Sequence, residues 1–358
     1  MEDIRILAIN PGSTSTKIAV FNGSNPVFVR TIYHSADEIA RFEKITDQYS
    51  FRKEIIYKQV EEAGIDMNSI NAVVGRGGLV KPIPSGVYEV NEAMKADLRN
   101  SPMGEHASNL GGLIADDIAK SIKGVRAFIT DPVVVDELAP IARLSGHPDF
   151  KRNSIFHALN QKAIARQHAN SIMRKYEDLN LIVVHLGGGI SVGAHCKGEV
   201  IDVNQALDGE GPFSPERSGT LPVGELIRAC FSGKYTQKEL MLMVKGKGGL
   251  AAYLGTNSAY EVEQRMIAGD ENAAFIFEGM AYQVAKEIGA MSTVLKGNVD
   301  AIILTGGIAH GKWFVNQVIE RVYKIAPVHV YPGEDEMRAL ALNGLMALKG
   351  EIVVKEYK

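Results

Sequence analysis

Residues 6–29 read ILAINPGSTSTKIAVFNGSNPVFV, and residues 181–203 read LIVVHLGGGISVGAHCKGEVIDV. Each is an apolar run, a turn of small residues, a second apolar run, a glycine turn and a third run. That rhythm predicts a three-strand antiparallel meander in both places. With Gly12 set on Gly187, Ala19 falls on Ala194 and Gly23 on Gly198, a constant offset of 175 (187 − 12). A second pair follows in the same order. NAVVGRGGL (71–79) matches DAIILTGGI (300–308), with Gly77 on Gly306 and Gly78 on Gly307, an offset of 229 (306 − 77). The second copy thus carries 54 further residues between its two elements (229 − 175). Two copies of so large a unit make no solenoid. They predict a duplicated α/β fold, with two similar domains, a ligand cleft between them and the glycine turns facing that cleft.

The domains are expected over 1–150 and 151–333, with a closing helix at 334–349 returning to the first. The hinge is expected at 140–150 and at that helix, whose acidic opening GEDEM suits the positive end of a helix dipole. Helical spacing covers 35–66, with Gly64 as a stop, then 91–122 in two pieces around SPMG, then 153–178. VRAFIT reads as a further strand.

Composition narrows the class. The 358 residues suit two domains of ordinary size, and 46% hydrophobic residues supply a large core. A net charge of −3, with Lys and Arg scattered, gives no footprint for nucleic acid or an anionic membrane. MEDIRILAIN lacks the basic and apolar blocks of a secretory signal, and no apolar run is long enough to span a bilayer. Cys196 and Cys230 have no metal spacing and read as free thiols of a reducing compartment. A soluble cytoplasmic enzyme is the expectation.

NPGSTSTK (10–17) is either a plain hairpin turn or a phosphate cradle. It lacks the second glycine of a P-loop and runs into a strand, IAVF, where a P-loop opens a helix. No complete G-x-G-x-x-G occurs either, which disfavours a nicotinamide enzyme. In a phosphate hairpin the turn amides, the hydroxyls of Ser13, Thr14 and Ser15, and the Lys17 ammonium would donate to phosphate oxygens. In the second copy Gly187, Gly188 and Gly189 would let backbone amides approach further phosphates without a Cβ in the way. TGGIA would add a third glycine turn near the nucleoside.

At this point a resemblance becomes specific. Duplication with two phosphate hairpins and a late GG turn resembles the superfamily of acetate and sugar kinases, heat-shock ATPases and actin, whose domains are actin-like, or ribonuclease-H-like. Within it, NPGSTSTK resembles the N-x-G-S-[ST]-S-x-K start of acetate kinases, HLGGG their HLGNG, ERSG their TRSG, and IFHALN their GFHGTSH. The run LGGGISVGAHCKGEVIDVNQALDGEGPFSPERSGTLP, with ITDPVVVDEL and VVGRGGLVKPI, is similar to the butyrate kinase branch of that family. The likeness spans essentially the whole chain. It implies transfer of phosphate between ATP and a short-chain carboxylate, giving acyl phosphate and ADP by direct in-line displacement, with Mg2+ required.

Chemistry and resemblance agree on what such a site needs. A carboxylate, with a pKa of about 4–5, is already a nucleophile at neutral pH and needs no base. Its obstacle is charge repulsion from the polyphosphate, so cations should gather round the moving group. The resemblance implies that Arg76 orients the substrate carboxylate, that Arg217 stabilises the transition state and that His157 hydrogen-bonds the phosphoryl group. His185 either orients the second loop or touches phosphate. Glu336 and Asn10 match the metal-side positions, with Glu334 and Asp335 close enough for the register to slip. Asp131 either serves the metal water or Arg76, or merely closes a turn before Pro132; as a base it would suit a sugar kinase. His106 reads as structural.

The nucleoside is expected on the second domain, against Gly306, Gly307 and Ile308, near GKGGLAAYLGTNS (246–258). Gly188 stands where acetate kinases have Asn, and SPERSG differs from their arginine loop. Those departures and the shorter chain argue for an acid longer than acetate. Val80, Pro82, Ile83, Val133 and Val134 are candidates for an acyl pocket or for ordinary core. Isobutyrate, propionate and acetate remain alternative acids, and a sugar kinase or an actin-like ATPase switch the alternatives of another class. The resemblance also implies a homodimer or higher homo-oligomer.

Overall fold

The computed structural model describes residues 4–358; residues 1–3, part of the stretch read for a signal, lie outside them. The chain divides into two compact units, Met1–Val135 with Asp335–Lys358, and Asp136–Glu334.

In the first unit the strands are β1 (Arg5–Pro11), β2 (Ser15–Asn22), β3 (Asn25–Tyr33), β4 (Ile70–Arg76), β5 (Val87–Glu89), β6 (Arg126–Thr130) and β12 (Val354–Lys355). In the second they are β7 (Asn180–Leu186), β8 (Ile190–Cys196), β9 (Glu199–Val203), β10 (Ala301–Gly306) and β11 (Val328–Pro332). The sheet orders are β12-β5-β6-β4-β1-β2-β3 and β11-β10-β7-β8-β9. Each contains an antiparallel meander whose first strand pairs in parallel with a later one, so β6-β4-β1-β2-β3 repeats as β11-β10-β7-β8-β9.

Strand register tests the repeat residue by residue. Ile9 pairs with Gly75, and Val184 with Leu304, which fits both offsets together. Past the first turn the match slips by one. Ile9 lies opposite Ile18, whereas Val184 lies opposite Val192, so Ala19 stands on Gly193 and Gly23 on Lys197. The reason is turn length: Gly12–Ser15 puts four residues between paired ends, and Gly187–Gly189 puts three. The gapless offset therefore needs a one-residue correction, and the second unit's insertion is 55 residues (229 − 174) rather than 54.

Alternation of side chains builds two layers over the second sheet. Ile182, Val184 and Leu186 join the helix Glu271–Val294 through Phe277, Met280 and Val284. Leu181 and Val183 face Ile164, Ala165 and Ala169 of the helix Ala158–Ser171. In the first unit Leu7 and Ile9 join the helices Tyr49–Glu62 and Asn109–Lys120. A Cβ on Gly75 would collide with the backbone of Gly111, so glycine on both sides lets that helix lie directly on β4. The helix Glu336–Lys349 lies beside Ile6 and Val74 through Gly344.

The helix expected across 35–66 is broken. A Ser35–Glu38 capping box starts a single turn, Ala36–Ile39, and the long helix begins only at Tyr49. It ends at Glu62, with Gly64 left-handed behind it. Of 153–178, only Ala158–Ser171 is α-helical, so His157 caps a helix rather than lying within one.

Candidate active site

In the first unit, parallel pairing of β1 and β4 brings Asn10 beside Arg76. The Asn10 side-chain amide donates to Glu336 Oε2, and Arg76 Nη1 donates to Asn10 Oδ1 and to Glu336 Oε2, both at 3.3 Å. Glu336 opens its helix, so its carboxylate faces both the helix N-terminus and the Arg76 guanidinium, 3.3 Å away. Three acidic neighbours have three separate tasks. Asp335 caps the helix by accepting from the Arg338 amide, Glu334 belongs to the second unit's cluster, and Glu336 is the residue beside Asn10.

The turn after β1 closes with Gly12 N donating to Ser15 O at 2.7 Å, leaving Ser13 and Thr14 exposed. Lys17 stands opposite Asn10 in the β1–β2 register, on the same face of the sheet. Beneath the turn lies Arg52, fully buried. It donates to Ser13 O, Ser15 O, Thr16 Oγ1 and Gln48 Oε1, and burial pulls its pKa down to about 10. Sequence reading missed Arg52, because one arginine in a charged helix gives no sign that it faces inward.

Asp131 follows β6 with a left-handed φ of 38°. Its Oδ1 accepts from Ser85 Oγ at 2.6 Å and Gly86 N at 2.8 Å, which ties down the 84–86 loop. Val80, Ile83 and Val134 lie in the first unit's core, and Pro82 is exposed. His106 bonds Ser108 at 2.8 Å ahead of the helix Asn109–Lys120, as a structural residue would.

In the second unit His157 and His185 stack at 3.9 Å, with an interplanar angle of 21°. His157 Nδ1 lies 2.9 Å from Ser191 Oγ. His185 Nε2 lies 3.7 Å from Glu334 Oε2, which also accepts from Asn160 at 3.1 Å. The GGG turn and the SPERSG loop are stitched together: Ser214 Oγ donates to Gly188 O at 2.6 Å, and Arg217 N donates to Ser214 Oγ at 3.2 Å. Arg217 Nη1 donates to Ala206 O, and its guanidinium lies where a Cβ on Gly189 would be. Burial lowers the Arg217 pKa, while Glu216 and Asp208 oppose the shift.

Gly306 ends β10 with a left-handed φ of 95° and exchanges both backbone hydrogen bonds with Gly333. Gly307 and Ile308 follow in a single helical turn, with open space beside Gly307. Gly248 and Gly249 lie against the backbone of Ser214 and Arg217, and Asn257 donates to Glu216 at 2.7 Å. GKGGLAAYLGTNS therefore buttresses the arginine loop. The structure thus brings Asn10, Arg76 and Glu336 together in one unit, and His157, His185, the glycine turn and Arg217 together in the other.

The sequence model of the acetokinase family matches residues 150–339. Butyrate kinase 1 of Clostridium acetobutylicum is 57% identical over 354 residues, 99% of this chain and 99% of that protein. The acetate kinase of Porphyromonas gingivalis has a TM-score of 0.79 at 18% identity, covering 96% of this chain and 100% of that one. A propionate kinase from Francisella tularensis subsp. tularensis has a TM-score of 0.75 at 19% identity, covering 95% and 98%. The duplicated α/β architecture expected from the two meanders, and actin-like by the resemblance, is the fold found. With a family model matching more than half its length and a relative this similar along nearly all of it, the chain belongs to the acetokinase family.

Proposed function

We propose that this protein catalyses the reversible, ATP-dependent phosphorylation of butyrate to butyryl phosphate, releasing ADP. The observation that carries the reading is 57% identity to a butyrate kinase along 99% of both chains. The geometry supports it. Arg76 is held by Asn10 and Glu336, so its guanidinium is pre-oriented for a carboxylate. Arg217 is packed into the glycine turn, where a fixed cation offsets charge on a phosphoryl group in flight. His157 donates a hydrogen bond to that group, His185 orients the loop, and Ser13, Thr14, Ser15 and Lys17 donate to phosphate oxygens. Gly187, Gly188, Gly189, Gly306, Gly307 and Ile308 serve the nucleotide. No base is needed. Asp131, bonded to Ser85 and Gly86, holds the 84–86 loop, which gives a sugar-kinase reading no support.

The donor set of Glu336 and Asn10, one carboxylate and one amide oxygen, fits Mg2+, a hard ion that keeps waters and nucleotide oxygens as ligands. Among the described residues no group of three or more His, Cys, Asp or Glu forms a preformed metal cage. Glu336 and Asn10 would hold the ion, which supplies neutralising charge to the ATP phosphates.

No described helix is long and apolar enough to cross a membrane, and both cysteines are free thiols, which supports a reducing cytoplasm as the place of action. Exposed Val223, Ile227 and Phe231 support a homo-oligomer built through the second unit.

The test is trapping of acyl phosphate by hydroxylamine, with ATP, Mg2+ and straight and branched acids from acetate to hexanoate. Hydroxamate should peak at butyrate. A peak at isobutyrate or propionate would reassign the acid, since one methylene changes discrimination by only about 1–3 kcal/mol. ATP hydrolysis with no hydroxamate from any acid would overturn the reading.

A further inference from the structure

Behind His157 runs a buried line of hydrogen-bonding side chains: Ser191, Gln161, His195 and Tyr176. The first three are fully buried and Tyr176 is 4% exposed. His157 Nδ1 lies 2.9 Å from Ser191 Oγ, and Gln161 Nε2 lies 2.8 Å from the same oxygen. Gln161 Oε1 lies 2.9 Å from His195 Nε2, and His195 Nδ1 lies 2.7 Å from the Tyr176 hydroxyl.

The direction of every bond follows from one atom. Gln161 Nε2 is also 3.0 Å from the main-chain carbonyl of Ser191, which can only accept. The amide NH2 must therefore face Ser191, and Ser191 Oγ accepts from it. The His157 main-chain N–H also points at that oxygen, at 3.5 Å. The Ser191 hydroxyl proton then goes to His157 Nδ1. On the other side Gln161 Oε1 accepts, so His195 carries its proton on Nε2 and its Nδ1 accepts from Tyr176. Burial, with Lys162 and Arg166 nearby, holds the His195 pKa well below the usual range, so its ring is neutral, as this direction requires.

We propose that this line positions His157 as a neutral imidazole protonated at Nε2, making it an N–H donor rather than a base. The charged and titratable groups around it agree. His185 stacks on its face, so two imidazolium rings there would repel, and Glu334 stands beside the His185 nitrogen, so a positive charge on the pair belongs to His185. Lys162 and Arg166, on the helix His157 caps, and Tyr176 lie toward the far end, around His195. The catalytic consequence rests on the kinase reading above, whereas the tautomer does not.

The first measurement is a long-range proton–nitrogen correlation spectrum of the full chain labelled with 15N-histidine. His157 is assigned by its loss in His157→Gln. The expected pattern is a neutral ring protonated at Nε2 from about pH 6 to 8. A ring protonated at Nδ1, or an imidazolium in that range, overturns the proposal. In Ser191→Ala the two tautomers should mix and kcat should fall about tenfold with KM for ATP unchanged. An unchanged tautomer would show that the line is not its cause. Gln161→Glu puts an acceptor where the donor was, which turns the Ser191 proton away from His157. The pH at which the His157 ring becomes imidazolium, read in the same spectra, should then move up by about one pH unit, and an unmoved midpoint counts against the proposal. Failure of the kinase reading would appear as absent hydroxamate and leave the spectra intact; failure of this proposal would do the reverse.

Discussion

Three adjacent glycines in HLGGG look alike in sequence and differ in what surrounds them. A Cβ on Gly187 would press on His185 Nε2, and one on Gly189 would occupy the place of the Arg217 guanidinium. A Cβ on Gly188 would meet only the Glu216 carboxylate, at 3.7 Å, an ordinary contact. Gly188→Ala should therefore leave thermal unfolding within the change of about 0.5 kcal/mol typical of a tolerated surface substitution. Gly189→Ala must move Arg217, the cation proposed to offset charge on the phosphoryl group, so kcat should fall by roughly 10²–10³ with little loss of folding. The hydroxamate assay and a thermal melt on both variants check this; equal damage from the two would refute it. The sequence showed the glycine run as a backbone approach point. It could not show which glycine makes room for Arg217, because that residue comes from a different loop. Ser191, Gln161 and His195 were illegible for a related reason. Each looks like ordinary strand or helix filling until the fold puts them in line.

Among the elements, the hairpin read in the sequence as a candidate phosphate cradle depends on a helix of which sequence reading gave only the spacing. Its helical spacing was legible, but its start was not, because the Ser35–Glu38 capping box begins a turn that stops at once. Nor was its inward face, since a buried arginine breaks the rule that charge points to water. Arg52 takes the place of a salt bridge by satisfying three oxygens of the turn and the Gln48 amide oxygen. In Arg52→Met, Ser15 O keeps the Gly12 amide and Thr16 Oγ1 keeps the His34 ring, while Ser13 O and Gln48 Oε1 lose this donor, at about 1–3 kcal/mol for each left buried and unsatisfied. Partial rescue by water leaves an expected loss of about 3 kcal/mol, read as a lower denaturation midpoint with an unchanged denaturant slope. Arg52→Lys, which keeps the charge with fewer fixed donors, should recover only part of it. A variant as stable as the parent would mean that the turn holds its shape without the guanidinium.

For the whole molecule, duplication was legible because strand–turn–strand patterns are local and each copy repeats them in order. The one-residue difference between the turns was not, since glycine matches remain plausible at either register and only strand pairing chooses between them. The two units differ in how the chain builds them, and that difference has a consequence. The second is one continuous segment, Asp136–Glu334, with its own core on both faces of its sheet. The first needs two segments: Met337, Leu340, Ala341 and Leu345 are buried, and their helix also brings Glu336 to Asn10. A chain cut after Glu334 therefore loses a layer of the first unit and Glu336, the carboxylate proposed to hold Mg2+, but nothing from the second. The expected result is a single remaining cooperative melt, matched by the isolated 136–334 segment. That melt should rise with ATP and Mg2+, because a ligand at a hundred times its Kd adds about 2.7 kcal/mol to the unit that binds it. Two intact transitions in the cut chain would show that the first unit does not need its returning helix. A 136–334 melt indifferent to ATP would move the nucleotide site away from Gly306, Gly307 and the HLGGG turn.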